Sequence, residues 1–240
     1  MPKGLQHKGV VRRNKMLLAA VQLFLEKGYE KTTTAAIAKT AGMAPSSFFA
    51  AFKDKEELLL TLVQQMFSSQ FENAEELLDA QKEPLMLYGI ETALQMHITE
   101  LSEPLRELYV MAYSLPTTSE YIYKSTAEKL YTIFADYMPE AEAKDFYEME
   151  IASAGITRGF MAQHCHMYFK IEDKIRRHLQ CCFTLYQVPK DQQDAVINVV
   201  LAMDLQSVAQ KLIEDTIKKA HQGFEAAMIT GLTKESENKE

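Results

Sequence analysis

Apolar residues recur along most of the chain at the three- and four-residue spacing of an α-helix, and no stretch alternates apolar with polar positions between hairpin turns. The pattern predicts an all-α protein. In the first segment Leu17, Ala20, Val21, Phe24 and Leu25 stand at i, i+3, i+4, i+7 and i+8, one continuous stripe. Gly28 follows the last periodic residue, where a helix ends readily in the left-handed conformation, and Tyr29 is placed to fold its ring over the last turn. Thr32 and Thr33 supply a hydroxyl cap for a short second helix with Ile37, Ala38 and Ala41, closed by Gly42. A third short helix is expected from Pro45, whose missing N–H costs nothing in a first turn. Asp54 and Glu57 form a capping-box pattern ahead of a long helix running to about Ala80.

Beyond Pro84 the periodicity predicts helices over 85–101, 104–114, 119–138, 140–169, 171–187 and 190–222, separated by Pro104, Pro116, Pro139, Pro189 or a polar junction. The final GLTKESENKE is charged and aperiodic and is expected to be disordered. These features divide the chain into an N-terminal domain over 1–54, a larger helical domain over 55–232 and a tail over 233–240.

Charge sharpens this division. The net charge of −7 hides a basic head: residues 1–60 carry ten Lys/Arg against five Asp/Glu, a balance of +5, and the rest carries −12. One end can meet phosphates while the body stays off them. With 47% hydrophobic residues the 240-residue chain has material for a substantial core. No apolar run reaches the roughly 18 residues of a membrane span, and the basic N-terminus leads into an amphipathic segment rather than a signal peptide, so no membrane partner is expected. Cys165, Cys181 and Cys182 fit neither a disulfide framework nor a zinc knuckle, which points to a reducing, cytoplasmic setting.

The most specific signal lies between Thr33 and Phe52. Two helices crossing steeply through a three-residue turn need a small residue where their backbones approach, one tolerating positive φ in the turn, and a buried apolar on the second helix; Ala38, Gly42 and Phe48 meet these needs. Around them stand Ala19-Ala20, Leu23-Phe24, Gly28-Tyr29, Thr33, Ile37-Ala38, Ala41-Gly42-Met43, Phe49, Phe52 and Lys55 followed by Leu58. Over about residues 13–60 the chain resembles the TetR family of transcriptional regulators. The resemblance implies an N-terminal helix-turn-helix for double-stranded operator DNA and a C-terminal domain that binds a small-molecule effector and forms a homodimer through late helices. It also implies hydroxyl contacts to phosphates from Thr33 and Ser47, and a phosphate contact from Lys55 at a helix start. Arg12, Arg13, Lys15, Lys8 and Lys3 form a basic arm able to follow the DNA backbone. On the exposed face of the expected recognition helix stand Pro45, Ser46, Ser47, Phe49 and Ala50. Phe49 and Ala51 occupy positions where the family usually has Tyr and Tyr or His, which keeps open an alternative: a dimeric helical ligand-binding or scaffold protein with weak or lost DNA binding.

Ten of the eleven tyrosines and nine of the thirteen methionines lie beyond residue 80, a mixture suited to a pocket between helices for an apolar or aromatic effector. His97, Met111, Tyr113, Tyr131, Phe134, Phe160 and His164 fall on the apolar sides of their segments and are the candidate lining. His164, Cys165 and His166 are read as consecutive helix residues, about 100° apart, which cannot converge on one metal ion, while His164 and Tyr168 share a face. No metal, cofactor or catalytic residue is expected, and the chain carries no glycine-rich phosphate loop or acid-base set. A stripe of small residues, Ala152, Gly155, Gly159 and Ala162, permits close helix approach at either a dimer seam or an internal contact; the segment 190–222 is the competing dimer surface.

Overall fold

A computed structural model describes residues 3–65 and 83–218, with side chains from residue 9. Among the described residues the only regular structure is helical. They fall into two compact units, bounded as Met1–Leu58 with Lys211–Glu240, and Leu59–Gln210. The expected stretch to Ala80 beyond residue 65, and the GLTKESENKE tail, lie outside the described residues.

The first unit contains α1 (Lys3–Lys27), α2 (Thr34–Thr40), a 3-10 turn (Pro45–Ser47) and the start of α3, which begins at residue 55. Its core takes Leu17, Ala20 and Phe24 from the stripe read from the sequence, with Met16, Ile37, Ala38, Phe48, Phe52 and Leu58, while Val21 and Leu25 are only half-buried. Because α1 starts at Lys3, the basic stretch read as an arm is helix rather than an extended strap.

In the second unit α4 (Pro84–Leu101) is the central rod, in contact with α5 (Glu103–Ala112), α6 (Pro116–Phe134), α7 (Ala143–Ala162), α8 (Ile171–Leu185) and α9 (Lys190–Ala202). A helix surrounded by others is buried on more than one stripe, and from Tyr88 to Met96 every residue of α4 is buried. Gly89 is what lets α9 approach: a Cβ there would meet Val196 Cγ1 and Val200 Cγ2, both at 3.1 Å. Tyr88, Phe134, Phe146, Phe183 and Tyr186 form an aromatic core in which Phe134 stacks on Tyr186 with centroids 4.2 Å apart. The prolines sit in first turns rather than between helices, at Pro84, Pro104 and Pro116, so α6 starts before the expected residue 119.

Two expected helices are shorter than the periodicity suggested. The 140–169 segment is helical only over Ala143–Ala162, because residues 163–170 turn back on themselves, with His166 and Phe169 exchanging both backbone N–H···O bonds at 3.0 Å. The 190–222 segment breaks at Met203, whose backbone is extended, and Asp204 then caps α10 (Leu205–Lys218) by accepting from the Ser207 N–H at 3.2 Å. No single helix among the described residues is long and apolar enough to cross a membrane.

Candidate nucleic-acid interface and interior cavity

The N-terminal unit is shaped by two left-handed glycines. Gly28, at φ 85°, ends α1 by donating to Phe24 O at 2.9 Å, and the Tyr29 ring returns to within 5.3 Å of Phe24. Thr32 does not share the capping of α2. Its fully buried hydroxyl donates to Gly28 O at 2.7 Å and Leu23 O at 3.3 Å, while Thr33 Oγ1 alone accepts from the Ala36 N–H at 3.1 Å. α2 closes in a Schellman motif: Met43 N–H donates to Ala38 O at 2.9 Å and Gly42 N–H to Lys39 O at 3.0 Å, with Gly42 at φ 73°. The chain then enters Pro45–Ser47 and continues in turns to Ala51, with Phe48 completely buried. That packing leaves Pro45, Ser46, Phe49 and Ala50 exposed and Ser47 half-buried; Phe49 is 63% exposed, high for a phenylalanine beside a core.

Two cations assigned to DNA on sequence grounds are occupied within this unit. Arg13 donates to Ala51 O at 2.9 Å, pairs with Glu57 at 3.5 Å and lies 4.2 Å above the Phe52 ring. Lys55 donates to Tyr29 O at 2.7 Å and Thr32 O at 3.0 Å, with its ammonium 4.0 Å from the Tyr29 ring centroid. Together they tie α1 to the end of the reading segment, and the start of α3 to the loop before α2. Arg12 is half-buried, and Thr33 is exposed with its cap bond in place.

The candidate effector residues do not converge. Phe134 is core, stacked on Tyr186; Tyr131 is 43% exposed and edge-on to Phe146; Phe160 is edge-on to His178. Met111 is half-buried. His164 is exposed, in the 163–170 loop rather than on a helix, so it and Tyr168 share no helical face. For the same reason His164, Cys165 and His166 do not follow one another around a helix at 100°. Among the described residues no group of His, Cys, Asp or Glu is arranged to hold a metal ion. Instead His164 Nδ1 lies 2.9 Å from Glu100 and 2.8 Å from Arg106, donating to the first when protonated and accepting from the second when not. Glu100 also accepts from the fully buried Lys174 at 2.6 Å. Burial pushes the Glu100 carboxyl up, but the bonds and charges of Lys174 and its neighbours outweigh it and hold the group below the usual carboxylate range. His97, whose imidazole burial holds below its ordinary value, lines an open groove of about 430 Å3 beside Glu100 and Cys165.

Of these candidates only Tyr113 reaches a partly open cavity of about 40 Å3 between α4, α6 and α7, with Glu91, Gln95, Lys129 and Glu150 on its wall. Burial pushes the Glu91 and Glu150 carboxyls up to about 8. Ser153 Oγ donates to Glu150 at 2.5 Å and lies 2.9 Å from Tyr186 OH; Thr157 Oγ1 lies 2.9 Å from His178 Nε2, and burial pulls that imidazole down to about 3. α7 and α8 therefore meet across a polar seam that the apolar pattern did not disclose.

Residues 16–62 match the family model of bacterial regulatory proteins, tetR family. Residues 16–62 are thus a tetR-family segment. Over 59 residues, 24% of this chain and 26% of the relative, the chain is 41% identical to the HTH-type transcriptional regulator TcmR of Streptomyces glaucescens. Over 58 residues, 24% and 30%, it is 36% identical to the fatty acid metabolism regulator protein of Bacillus subtilis (strain 168). The chain thus matches less than a third of the length of these curated relatives. Beyond the tetR-family segment a likeness of fold extends to SmeT, the repressor of the Stenotrophomonas maltophilia multidrug efflux pump SmeDEF, with a TM-score of 0.51 and 17% identity over 72% of this chain and 88% of that one.

Proposed function

We propose that the protein is a transcriptional repressor that binds double-stranded operator DNA as a homodimer and leaves it when a small effector occupies the C-terminal helices. The observation that carries this reading is the turn between α2 and the Pro45–Ser47 segment. Ala38 and Phe48 are buried around the left-handed Gly42, and the intervening geometry presents Pro45, Ser46, Phe49 and Ala50 outward. TcmR is a helix-turn-helix regulator and SmeT a repressor, and this chain shares sequence with the first and fold with the second. The DNA contacts proposed are these four residues with Ser47, Thr33 and Arg12, while Arg13 and Lys55 act mainly as braces of the reading segment. No Arg, Asn or Gln stands between Ala44 and Ala51 to make a bidentate bond to a base edge, so groove shape and charge carry recognition of a palindromic site.

Ala152, Gly155, Gly159 and Ala162 are all exposed on α7, beside an Ile151 that is 46% exposed. That exposure favours a two-fold seam between α7 helices over an internal contact, and this seam is the proposed dimer contact. Retardation of the DNA upstream of the protein's own coding sequence, at two salt concentrations, tests the reading: a complex that weakens steeply with salt supports it. A folded dimer that retards no DNA at low salt would instead favour the scaffold alternative.

A further inference from the structure

The wall of the interior cavity is ill suited to an apolar occupant. Glu91 of α4 and Glu150 of α7 both line it, each almost wholly withdrawn from solvent. Lys129 of α6 acts on Glu91; what acts on Glu150 is its burial and the Ser153 hydroxyl, with no compensating cation. Across the same space Thr126 Oγ1 of α6 is shielded from solvent and has no hydrogen-bond partner. Tyr88 and Tyr113 share the wall with Leu130, Ile133 and the hydroxyls of Thr92, Ser153 and Thr157. An anion entering here would find one cation, Lys129, beside two acids that gain negative charge as pH rises, and a neutral alcohol would leave both acids protonated. A compact cation with several N–H donors satisfies the acids and the unused hydroxyl oxygen together.

We propose that this cavity binds the ammonium group of a short organic amine, donating to Glu150, Glu91 and Thr126, and, resting on the repressor reading above, that such an amine is the effector. A volume of about 40 Å3 admits a head group and a carbon or two rather than a drug-sized molecule. Before binding, both carboxyls keep their protons at pH 7, because burial holds them at about 8. The arriving charge favours the carboxylate, so a proton leaves Glu150 for solvent as the already protonated amine binds. Of the other groups around Glu150, Tyr88, Tyr113, Tyr186 and Cys182 are pushed far up by burial and His178 far down. None of these five titrates between pH 6 and 8; Lys129 remains as the cation facing the site, and Glu91, protonated like Glu150, as its second acid.

Calorimetric titration of the full chain with ethylammonium chloride, in two buffers of different ionisation heat, tests this. Release of about one proton should tighten binding about tenfold per pH unit from pH 6 to 8, flattening above. Ethanol and acetate should not bind. Glu150→Gln, the neutral isostere, should lose at least about tenfold in affinity and the proton release; Thr126→Val should weaken binding with proton release intact. If Glu150→Gln does not fold, Glu91→Gln serves the same comparison. Equal binding of ethanol, preference for acetate, or full affinity and proton release in the glutamine variant would overturn the proposal. Failure of the amine to bind while DNA retardation persists overturns this site alone. Amine binding with proton release that leaves DNA affinity unchanged supports the site and overturns its role as effector.

Discussion

Lys55 offers the sharpest separation between a residue that touches DNA and one that builds the surface touching it. As a phosphate contact it would add about 0.9 to the log–log salt slope on each half-site and almost nothing to stability. The geometry points the other way. Its ammonium donates to Tyr29 O and Thr32 O at 2.7 and 3.0 Å and rests on the Tyr29 ring at 4.0 Å. Bonds to a charged donor contribute about 1.5–3 kcal/mol each when well sheltered. For this half-buried group the lower end applies, and the ring contributes about 0.5–1 kcal/mol more. Lys55→Met keeps the apolar stem and removes the charge, so it should cost about 3.5–4 kcal/mol, a fall of roughly 1–2 M in urea midpoint for an m of about 2–3 kcal/mol/M. The salt slope, measured by fluorescence anisotropy on the same DNA, should change by much less than 0.9 per half-site. A variant of unchanged midpoint that loses the full slope would refute the reasoning and return Lys55 to the phosphates.

Three further outcomes are expected. Glu91 and Glu150 sit at about 8 when folded against an ordinary 4.5, so the native state holds protons that the unfolded chain releases; their stability is complete below pH 4.5 and is lost as pH rises through about 8. At fixed protein concentration Glu150→Gln should therefore gain on the parent between pH 5 and 9 by a few kcal/mol, and parallel stability curves would contradict this. Gly159→Leu meets open space on its own chain and improves helix propensity by roughly 0.5–1 kcal/mol, yet should drive the dimer to monomer in light scattering; a more stable protein that remains dimeric moves the seam elsewhere. Gly42→Ala places a Cβ at φ 73° and should cost about 1–2 kcal/mol and weaken DNA binding even though no atom obstructs the new methyl; unchanged melting and DNA affinity would remove the strained turn from the argument.

The head was legible because each of its demands is local. A helix stop, a left-handed turn, a hydroxyl cap and a buried aromatic leave marks at fixed spacing, and Gly28, Gly42, Thr33 and Phe48 stand where those marks require. What charge counting could not separate is a cation that meets solvent from one whose donors are taken. Arg13 and Lys55 find partners 38 and 26 residues away along the chain, and no pattern around either residue announces a carbonyl brought close by folding. Shared burial of Thr32 and exposure of Thr33 follow the same logic: adjacent threonines look equivalent until the end of α1 claims one hydroxyl.

In the C-terminal helices, periodicity marked the helices, but it placed Tyr131 and His164 inside although both are exposed, and it did not tell what chemistry the inside would hold. Phe146, Glu150, Ser153, Ala154, Thr157 and Met161 form one helical face of α7 and are all buried, yet half of them are polar. On α8, Lys174, His178 and Cys182 at i, i+4 and i+8 do the same. Searching for apolar stripes favours the aromatic rings, which here pack on one another, and passes over the polar groups that line the space. Neutralising a carboxyl through its pKa is less costly than burying a bare ion. A helical face can therefore carry Glu150 inward and still fold, provided the acid keeps its proton. That condition couples the interior to pH and to any cation that enters. It also makes a polar residue repeated on the apolar face of a helix, such as Glu91 with Gln95 or Glu150 with Ser153, a better guide to the cavity between α4, α6 and α7 than the tyrosines and methionines.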